Sequence, residues 1–388
     1  MLLLVMEQKY ILKHIDNPVI EFSLDEDYRL ADLGKPIDEK RLPFGLKYKG
    51  NEKAYFRQMS DWIEKRGLPE GRSDLANIKL NLKAANSVEL LLGSYALNLS
   101  DQYWAHKINE KLNWTDVNFF DNNFENIIDF DTSFIEYGNN NVIIAPDLTV
   151  DGNLRKTWVC KDTERYLIKE GRWDEKQEPF NEVIAARIMD LFNIEHVSYG
   201  LLRSDKKRIP LCICKCMADR NTEFIQGQYV LDCEEKKNRN NYIRYIETCE
   251  KMGILDAKKR IDEMIVIDYI IGNTDRHTGN FGIIRDAQSL QWLKIAPIFD
   301  NGNSLFYNER DVDNISNSTD SFCRWFRDSN FQKLELIDYP EWYNPSKKND
   351  IADIVYTILS SNENTGKTKC EKVTEIVKLR IKEFEKVI

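Results

Sequence analysis

The chain has 388 residues, 42% apolar and 31% charged, an ordinary soluble globular balance whose length suits roughly two to three domains. Its net charge of −9 and pI near 5.3 argue against a whole-protein electrostatic fit to DNA or RNA, so no direct nucleic-acid contact is expected. The opening MLLLVM reaches Glu7 too soon to span a membrane and lacks a basic leader and cleavage site; a buried edge strand in a cytoplasmic protein, away from membranes, is expected.

Residues 1–140 read as a mostly helical region whose chemistry is not legible. Asn51 to Arg66 has helical spacing through Phe56, Met59 and Ile63, and Gly67 and Pro69 stop it. Asn86 to Leu97 sets Val88, Leu91, Leu92 and Tyr95 on one side. Asp101 to Leu112 reads as a third helix with Trp104 and Ile108 inward. Trp62, Trp104 and Trp114 are expected in the core. Asn118 to Asn141, rich in Asn and Asp, marks a domain boundary.

From Asn141 the pattern changes to short strands: NVIIAPDLTV, TWVCK and RYLIKEG form an antiparallel meander with an Asp151–Gly152 turn. A helix over Pro179 to Phe192 follows, then strands over Val197 to Leu202 and Ile209 to Met217. Cys212, Cys214 and Cys216 alternate, which puts all three on one face of a strand. With no histidine near them in sequence, they are expected to be buried thiols of a reducing compartment rather than zinc ligands. Lys169 ends its strand, and Glu182 stands beside Ala185, Ala186 and Met189 on the helix. A carboxylate on an apolar face needs a partner. Protein kinases contact the α/β-phosphates with a strand lysine oriented by a helix glutamate, and these two residues follow that order. A lysine snorkelling to water and a solvated glutamate are the alternative.

Residues 218–388 read as helical, with helices over Asn241–Met252, Ala257–Ile271, Asp350–Leu359 and Glu371–Ile388. Met217 and Asp219 lie where the strand region passes into this part. In a kinase the backbone there meets adenine and a polar side chain meets ribose, so both are nucleotide-binding candidates. The organising stretch is Val266 to Leu305. Its apolar helix ends at Gly272, and a polar turn carries Asn273, Asp275, Arg276, His277 and Asn280. Two β-type runs follow, Phe281 to Ile284 and Trp292 to Phe299, and the second delivers Asp300.

Phosphoryl transfer asks for positioning and neutralised charge rather than covalent work. In that pattern Asp275 accepts the proton of the incoming hydroxyl, while Asn280 and Asp300 supply oxygen ligands to Mg²⁺. Gly, Asn and Asp dominate ordinary turns as well, but a purely structural turn does not require Asp300 at the end of an apolar strand. Gly302 to Asp320 has the composition of a mobile loop where an activation segment would lie, or of a solvated linker.

On these residues the chain resembles the HipA-like kinases, serine/threonine kinases of bacterial toxin–antitoxin modules and their relatives. IGNTDRHTGNFGII and APIFDNGNSL are similar to the family's catalytic loop and metal-binding segment nearly residue for residue. YLIKEG and FNE extend the similarity over about Thr149 to Leu305. The resemblance implies an α+β fold of bilobal protein-kinase type, with a small antiparallel β-rich N-lobe (141–217) and a helical C-lobe (218–388). Residues 1–140 would be an additional, mostly helical N-terminal region.

It also implies an ATP- and Mg²⁺-dependent protein kinase, toxin or regulatory in role, that autophosphorylates. Asp275 matches the catalytic base, Lys169 the phosphate-contacting lysine, and Asn280 and Asp300 the metal ligands. Arg276 belongs to the catalytic set and, with His277, matches residues that brace the loop. The family's phosphate loop has a Ser, a Gly three residues on and a Lys four further; Thr149, Gly152 and Lys156 stand there. Thr149 is thereby a candidate regulatory phosphosite. Asn153-Leu154-Arg155 departs from the family, which often carries a Gln between the Gly and the Lys. The implied partners are ATP, a protein substrate and an antitoxin-like DNA-binding protein.

Two other readings share these motifs. A phosphoinositide-type lipid kinase also carries Asp-Arg-His-x-x-Asn, but usually with Asp-Phe-Gly where this chain has Phe299-Asp300-Asn301-Gly302, and no basic membrane-facing patch is evident. A catalytically weak kinase-fold module that docks a DNA-binding partner is the alternative from a different class.

Overall fold

The structure is a computed structural model that describes residues 8–48, 51–72, 74–124, 126–132, 144–150, 152, 154–233, 240–316, 318, 320–323, 325–338 and 340–388. They fall into two compact units. One runs up to Leu167 and includes Ala218–Glu223; the other comprises Ile168–Met217 and Phe224–Ile388. The fold is mixed, with antiparallel sheets and helices in both.

In the first unit the elements are β1 (Gln8–His14), β2 (Asn17–Leu24), β3 (Leu30–Leu33), α1 (Glu52–Arg66), α2 (Leu75–Leu82), α3 (Ser87–Gly93), β4 (Tyr103–Lys107), α4 (Trp114–Val117), β5 (Lys156–Lys161) and the start of β6 (Glu164–Glu170). Four strands form a sheet in the order β3–β2–β1–β4. Tyr10, Leu12, Ile20 and Phe22 from this sheet bury against Tyr55, Met59 and Ile63 of α1 and Leu91 of α3. Asn51 begins α1 by accepting the Ala54 N–H on its side chain, and Gly67 ends it. Tyr55, not the exposed Phe56, completes the inner face.

Several expectations are corrected here. The N-terminal region is not simply helical, because a sheet is its base. The helix expected over Asp101–Leu112 is instead β4, paired antiparallel with β1 so that His14 faces Tyr103 and Tyr10 faces Lys107. Tyr103, Trp104, Ala105 and His106 are all buried, so the run has no one-sided period, and its aromatic residues suit a strand. Ile108, expected inward, is exposed. Trp104 and Trp114 lie in the core as expected.

The strand expected through 144–150 is replaced by a 3₁₀ turn over Pro146–Leu148. Asp147 drives that turn: its carboxylate accepts from Thr157 Oγ1 (2.6 Å) and the Trp158 N–H (2.7 Å). The Asn/Asp-rich stretch begins with local turn chemistry at Asn118. The fully buried Asn118 side chain accepts the N–H groups of Phe120 and Asp121 and donates to Trp114 O. The opening MLLLVM, residues 133–143, Asp151, Asn153 and the charged run 234–239 lie outside the described residues.

The two units divide between Leu167 and Ile168, between Met217 and Ala218, and between Glu223 and Phe224. Ala218–Glu223 groups with the first unit through Glu223, which is fully buried and accepts from His14 Nε2 at 2.7 Å and from the Gln102 N–H at 2.8 Å. Arg41 Nη1 donates to His14 Nδ1 at 2.9 Å, so Nδ1 is the acceptor of that ring.

The second unit adds α5 (Glu178–Leu191), β7 (Tyr199–Arg203), β8 (Pro210–Lys215), β9 (Thr222–Gln226, which begins in the first unit), α6 (Gly227–Asp232), α7 (Asn241–Lys251), α8 (Ala257–Ile271), β10 (Gly282–Asp286), β11 (Trp292–Ile295), α9 (Asn330–Lys333), α10 (Lys348–Ser360) and α11 (Lys367–Val387). The end of β6, β8 and β7 are neighbours in that order, and β11–β10–β9 form a second sheet. Helix α8 is buried almost all round, the pattern of a central core helix. Its buried Asp262 and Glu263 are matched by Lys258 and Arg260. Gly272 closes it in a left-handed conformation (φ 64°), and a Cβ there would stand 2.2 Å from Arg380 Nη1. Cys212 and Cys214 are buried on β8, whereas Cys216 lies past its end and is half-buried, so two rather than three cysteines share that strand face. Burial pushes the Cys214 thiol up to about 11. Among the described residues no helix is long and apolar enough to cross a membrane.

Candidate active site

The site grows from Lys169, 6% exposed near the end of β6. Its Nζ donates to Glu182 Oε1 at 3.1 Å and to Asp300 Oδ1 at 2.9 Å, with the Tyr199 hydroxyl at 3.5 Å. Burial alone would strip this ammonium of its proton, but Asp300 and Glu182 together hold it well above the usual lysine range. The other oxygen of Glu182 accepts the Asn301 N–H at 2.7 Å, so one carboxylate ties α5 both to β6 and to the segment after β11. Asp300 sits at φ 58°, a left-handed position that Asp tolerates at modest cost.

The first turns of α5 extend this grip. Asn181 Nδ2 donates to Gly302 O (2.8 Å) and Ser304 O (2.7 Å), and Gln177 Nε2 donates to Leu305 O (2.8 Å). Asn181 lies in the FNE segment of the resemblance, but the sequence gives neither residue this role, because a polar side chain early in a helix reads as surface.

The polar turn after α8 is fixed by Arg276, which is 2% exposed. Nε and Nη2 donate to the two oxygens of Asp268, each at 2.9 Å. Nη2 also reaches Asn301 Oδ1 at 2.6 Å. Nη1 bridges Asn280 O (2.7 Å) and Phe299 O (2.6 Å), which brings the residues before Phe281 and Asp300 onto one nitrogen. All five N–H groups of the guanidinium are thus used. Asp268, in the apolar run IVIDYII, did carry a signal, since a carboxylate there requires a cation. Arg276, which the resemblance places in the catalytic set and also gives a bracing role, spends these donors inside the protein, the geometry of a positioning residue.

Asn280 Nδ2 donates to Asp275 O at 3.0 Å, which orients its Oδ1. Asp275 is exposed, and its Oδ2 accepts from Asn303 Nδ2 at 2.7 Å. His277 is exposed too, and its Nδ1 accepts the Gly279 N–H, a local brace.

Met217 is half-buried at the edge of the second unit. Thr149, Gly152, Lys156 and Asp219 are in the first unit. Gly152 is left-handed (φ 93°), and the Lys156 amine lies 2.6 Å from where its Cβ would be, so these two are brought together. Thr149 is 2% exposed, with its hydroxyl on Pro146 O at 3.2 Å. Asp219 is exposed and closes its own turn, accepting from the Asn221 N–H and Thr222 Oγ1.

A strand lysine paired with a helix glutamate, joined to an Asp-x₄-Asn turn and a hairpin-borne Asp, is the arrangement of kinase-like folds. The model of the HipA-like C-terminal domain matches residues 147–363, more than half of the chain, and the chain belongs to that family. The serine/threonine-protein kinase CtkA of Helicobacter pylori is 27% identical over 140 residues, covering 34% of this chain and 42% of that protein, so the chain matches less than half the length of this relative. Among solved structures, the H. pylori proinflammatory kinase CtkA has a TM-score of 0.44 at 17% identity, covering 58% of this chain and 89% of that one. The Shewanella oneidensis toxin–antitoxin complex of HipA, HipB and operator DNA has a TM-score of 0.49 at 13% identity, covering 98% and 91%.

Proposed function

We propose that the protein is an ATP- and Mg²⁺-dependent protein serine/threonine kinase. The observation that carries this reading is the buried Lys169 ammonium held between Glu182 and Asp300, since kinases need both the lysine–glutamate pair and the metal-binding Asp in place. The donor set also fits the metal. Asp300 is partly exposed (side chain 36%) and Asn280 offers an oriented amide oxygen; such oxygen-only donors, few in number, suit Mg²⁺, which keeps waters and takes phosphate oxygens.

In this reading Lys169 donates to phosphate oxygens and Glu182 keeps it aimed. Asp300 and Asn280 would hold Mg²⁺, which when bound would supply neutralisation of phosphate charge. Asp275, exposed and oriented by Asn303, takes the proton of the acceptor hydroxyl. Arg276 fixes the separation of these groups. Thr149 is the proposed site of self-modification, and its buried hydroxyl, bonded to Pro146 O, must become accessible first.

The test is phosphate transfer from ATP with Mg²⁺ by the native chain and by Asp275→Asn, followed by mass spectrometry of the chain itself. Transfer by the native chain alone supports the reading. Equal transfer by both removes Asp275 as base, and failure of the native chain to bind ATP removes the assignment of Lys169 and Asp300.

A further inference from the structure

The proposed chemistry gives no task to Tyr199, although its hydroxyl stands among the groups that carry that chemistry. Tyr199 opens β7 and is 6% exposed. Its place relative to Asp300 is set by main-chain bonds just upstream. The Val197 N–H donates to Ile298 O at 2.9 Å, and the Ile298 N–H donates to Glu195 O at 3.2 Å. Tyr199 follows Val197, and Asp300 follows Ile298, by two residues each. In the sheet β8 lies between β6 and β7, and Cys214 of β8 is paired with Tyr199. A small side chain at Cys214 leaves room for the tyrosine to reach Lys169 on β6.

The hydroxyl meets two groups at once. Lys169 Nζ donates to it at 3.5 Å and the Asp300 N–H at 3.4 Å, while the ammonium stands 5.4 Å from the centre of the ring. Both bonds are long, so each is weak alone. Burial, the largest influence, holds the phenol well above its usual range, so the group is a neutral hydroxyl that adds no charge to the cluster.

The two carboxylates around Lys169 differ in access. The Asp300 side chain is 36% exposed and that of Glu182 only 3%, so Asp300 is the one open to a cation from solvent. Its Oδ1 accepts from Lys169 at 2.9 Å, and charge given to a cation is withdrawn from that ammonium. Lys169 then keeps Glu182 and the Tyr199 hydroxyl, and the left-handed Asp300 backbone (φ 58°) keeps its N–H on the same oxygen.

We infer, resting on the kinase reading above, that Tyr199 is a positioning residue whose hydroxyl holds Lys169 and the Asp300 backbone together when the Asp300 carboxylate turns to a divalent cation. A core aromatic that only fills the sheet face would need the ring alone, and phenylalanine would serve equally well.

The experiment compares the native chain, Tyr199→Phe, Asp300→Asn and the double variant. Binding of a fluorescent ATP analogue is read by anisotropy with and without Mg²⁺, and urea unfolding is measured on the nucleotide-free chains. Tyr199→Phe keeps the ring and its contact with the ammonium and removes only the oxygen. Without Mg²⁺ it is expected to bind the analogue within about two-fold of the native chain. With Mg²⁺ it is expected to bind about five- to ten-fold more weakly, the order of one net hydrogen bond, with the urea midpoint close to native. In the Asp300→Asn background the same change is expected to have no Mg²⁺-specific effect, because no carboxylate is left to turn away. Equal losses with and without Mg²⁺, or no loss in either, overturn the assignment and leave the kinase reading in place. A Mg²⁺-specific loss that persists undiminished beside Asp300→Asn also overturns it, as does a large drop in the urea midpoint of Tyr199→Phe. Failure of the native chain to bind the analogue with Mg²⁺ removes the kinase reading and this assignment with it.

Discussion

Asn303 donates its side-chain amide to Oδ2 of Asp275 at 2.7 Å, while its carbonyl accepts both the N–H and the hydroxyl of Thr274 at 3.0 Å. The segment after Asp300 thus grips the turn that bears the proposed base. Asn303→Ala is expected to lower kcat for phosphate transfer by about 10–100-fold through misplacement of Asp275, with KM for ATP changed by less than about three-fold. Steady-state kinetics on one peptide checks this; a rise in KM at constant kcat would make Asn303 a binding residue.

Glu182 divides its carboxylate between Lys169 and the Asn301 N–H. Glu182→Ala leaves Lys169 buried with only part of its counter-charge, and removing one member of a buried ion pair costs about 3–5 kcal/mol. A drop of that order in urea unfolding, with the m-value unchanged, is expected together with loss of transfer. Glu182→Gln keeps the shape and acceptor oxygen and should be less unstable, yet remain impaired because Lys169 loses its negative partner.

The parts of this site that were legible in the sequence are those whose chemistry conflicts with their surroundings. Glu182 stands beside an alanine-lined face, a conflict that called for a partner, and Lys169 and the Asn301 N–H supply it; Lys169 at the end of an apolar strand and Asp300 after an apolar run stood out by place and residue type. Gln177, Asn181 and Asn303 were not legible, because their roles consist of amide bonds to distant carbonyls and polar residues at helix starts and in loops conflict with nothing. Strand β4 failed for the opposite reason. Tyr103–His106 is buried on both faces, which erases the alternation that tells strand from helix. The turn at Pro146–Leu148 was hidden by apolar neighbours, because its cause is the carboxylate of Asp147 reaching Thr157 and Trp158.

Arg276 is saturated by Asp268, Asn301 and the carbonyls of Asn280 and Phe299. Arg276→Lys has too few donors and the wrong geometry, so it is expected to destabilise the chain by about 3–5 kcal/mol and to abolish transfer. The pair Arg276→Met with Asp268→Leu removes both buried charges. It should be less unstable than the sum of the single variants by at least about 1 kcal/mol, but stay inactive because the Asn280 and Phe299 carbonyls are no longer bridged. A double-mutant cycle by thermal unfolding measures the coupling; strict additivity would mean that the two side chains do not act as a unit.

Asp147 gives the first unit a pH dependence. Burial, the largest influence, raises its carboxyl to about 6 despite the bonds from Thr157, Trp158 and Ile127. The folded chain therefore holds this proton over a range, from about pH 4 to 6, in which the unfolded chain has released it. Between these values the unfolded state binds fewer protons, so stability falls as pH rises. The contribution is fully present below about pH 4 and lost above about pH 6, with a span of roughly 3 kcal/mol for a shift of about two units. Asp147→Asn cannot ionise and should flatten that part of the stability profile while still offering an acceptor to Thr157. Urea unfolding of both proteins from pH 4 to pH 7, followed by a probe in the first unit such as Trp104 fluorescence, measures the difference in slope. Parallel profiles would show that Asp147 is ionised throughout and that its three donors outweigh its burial.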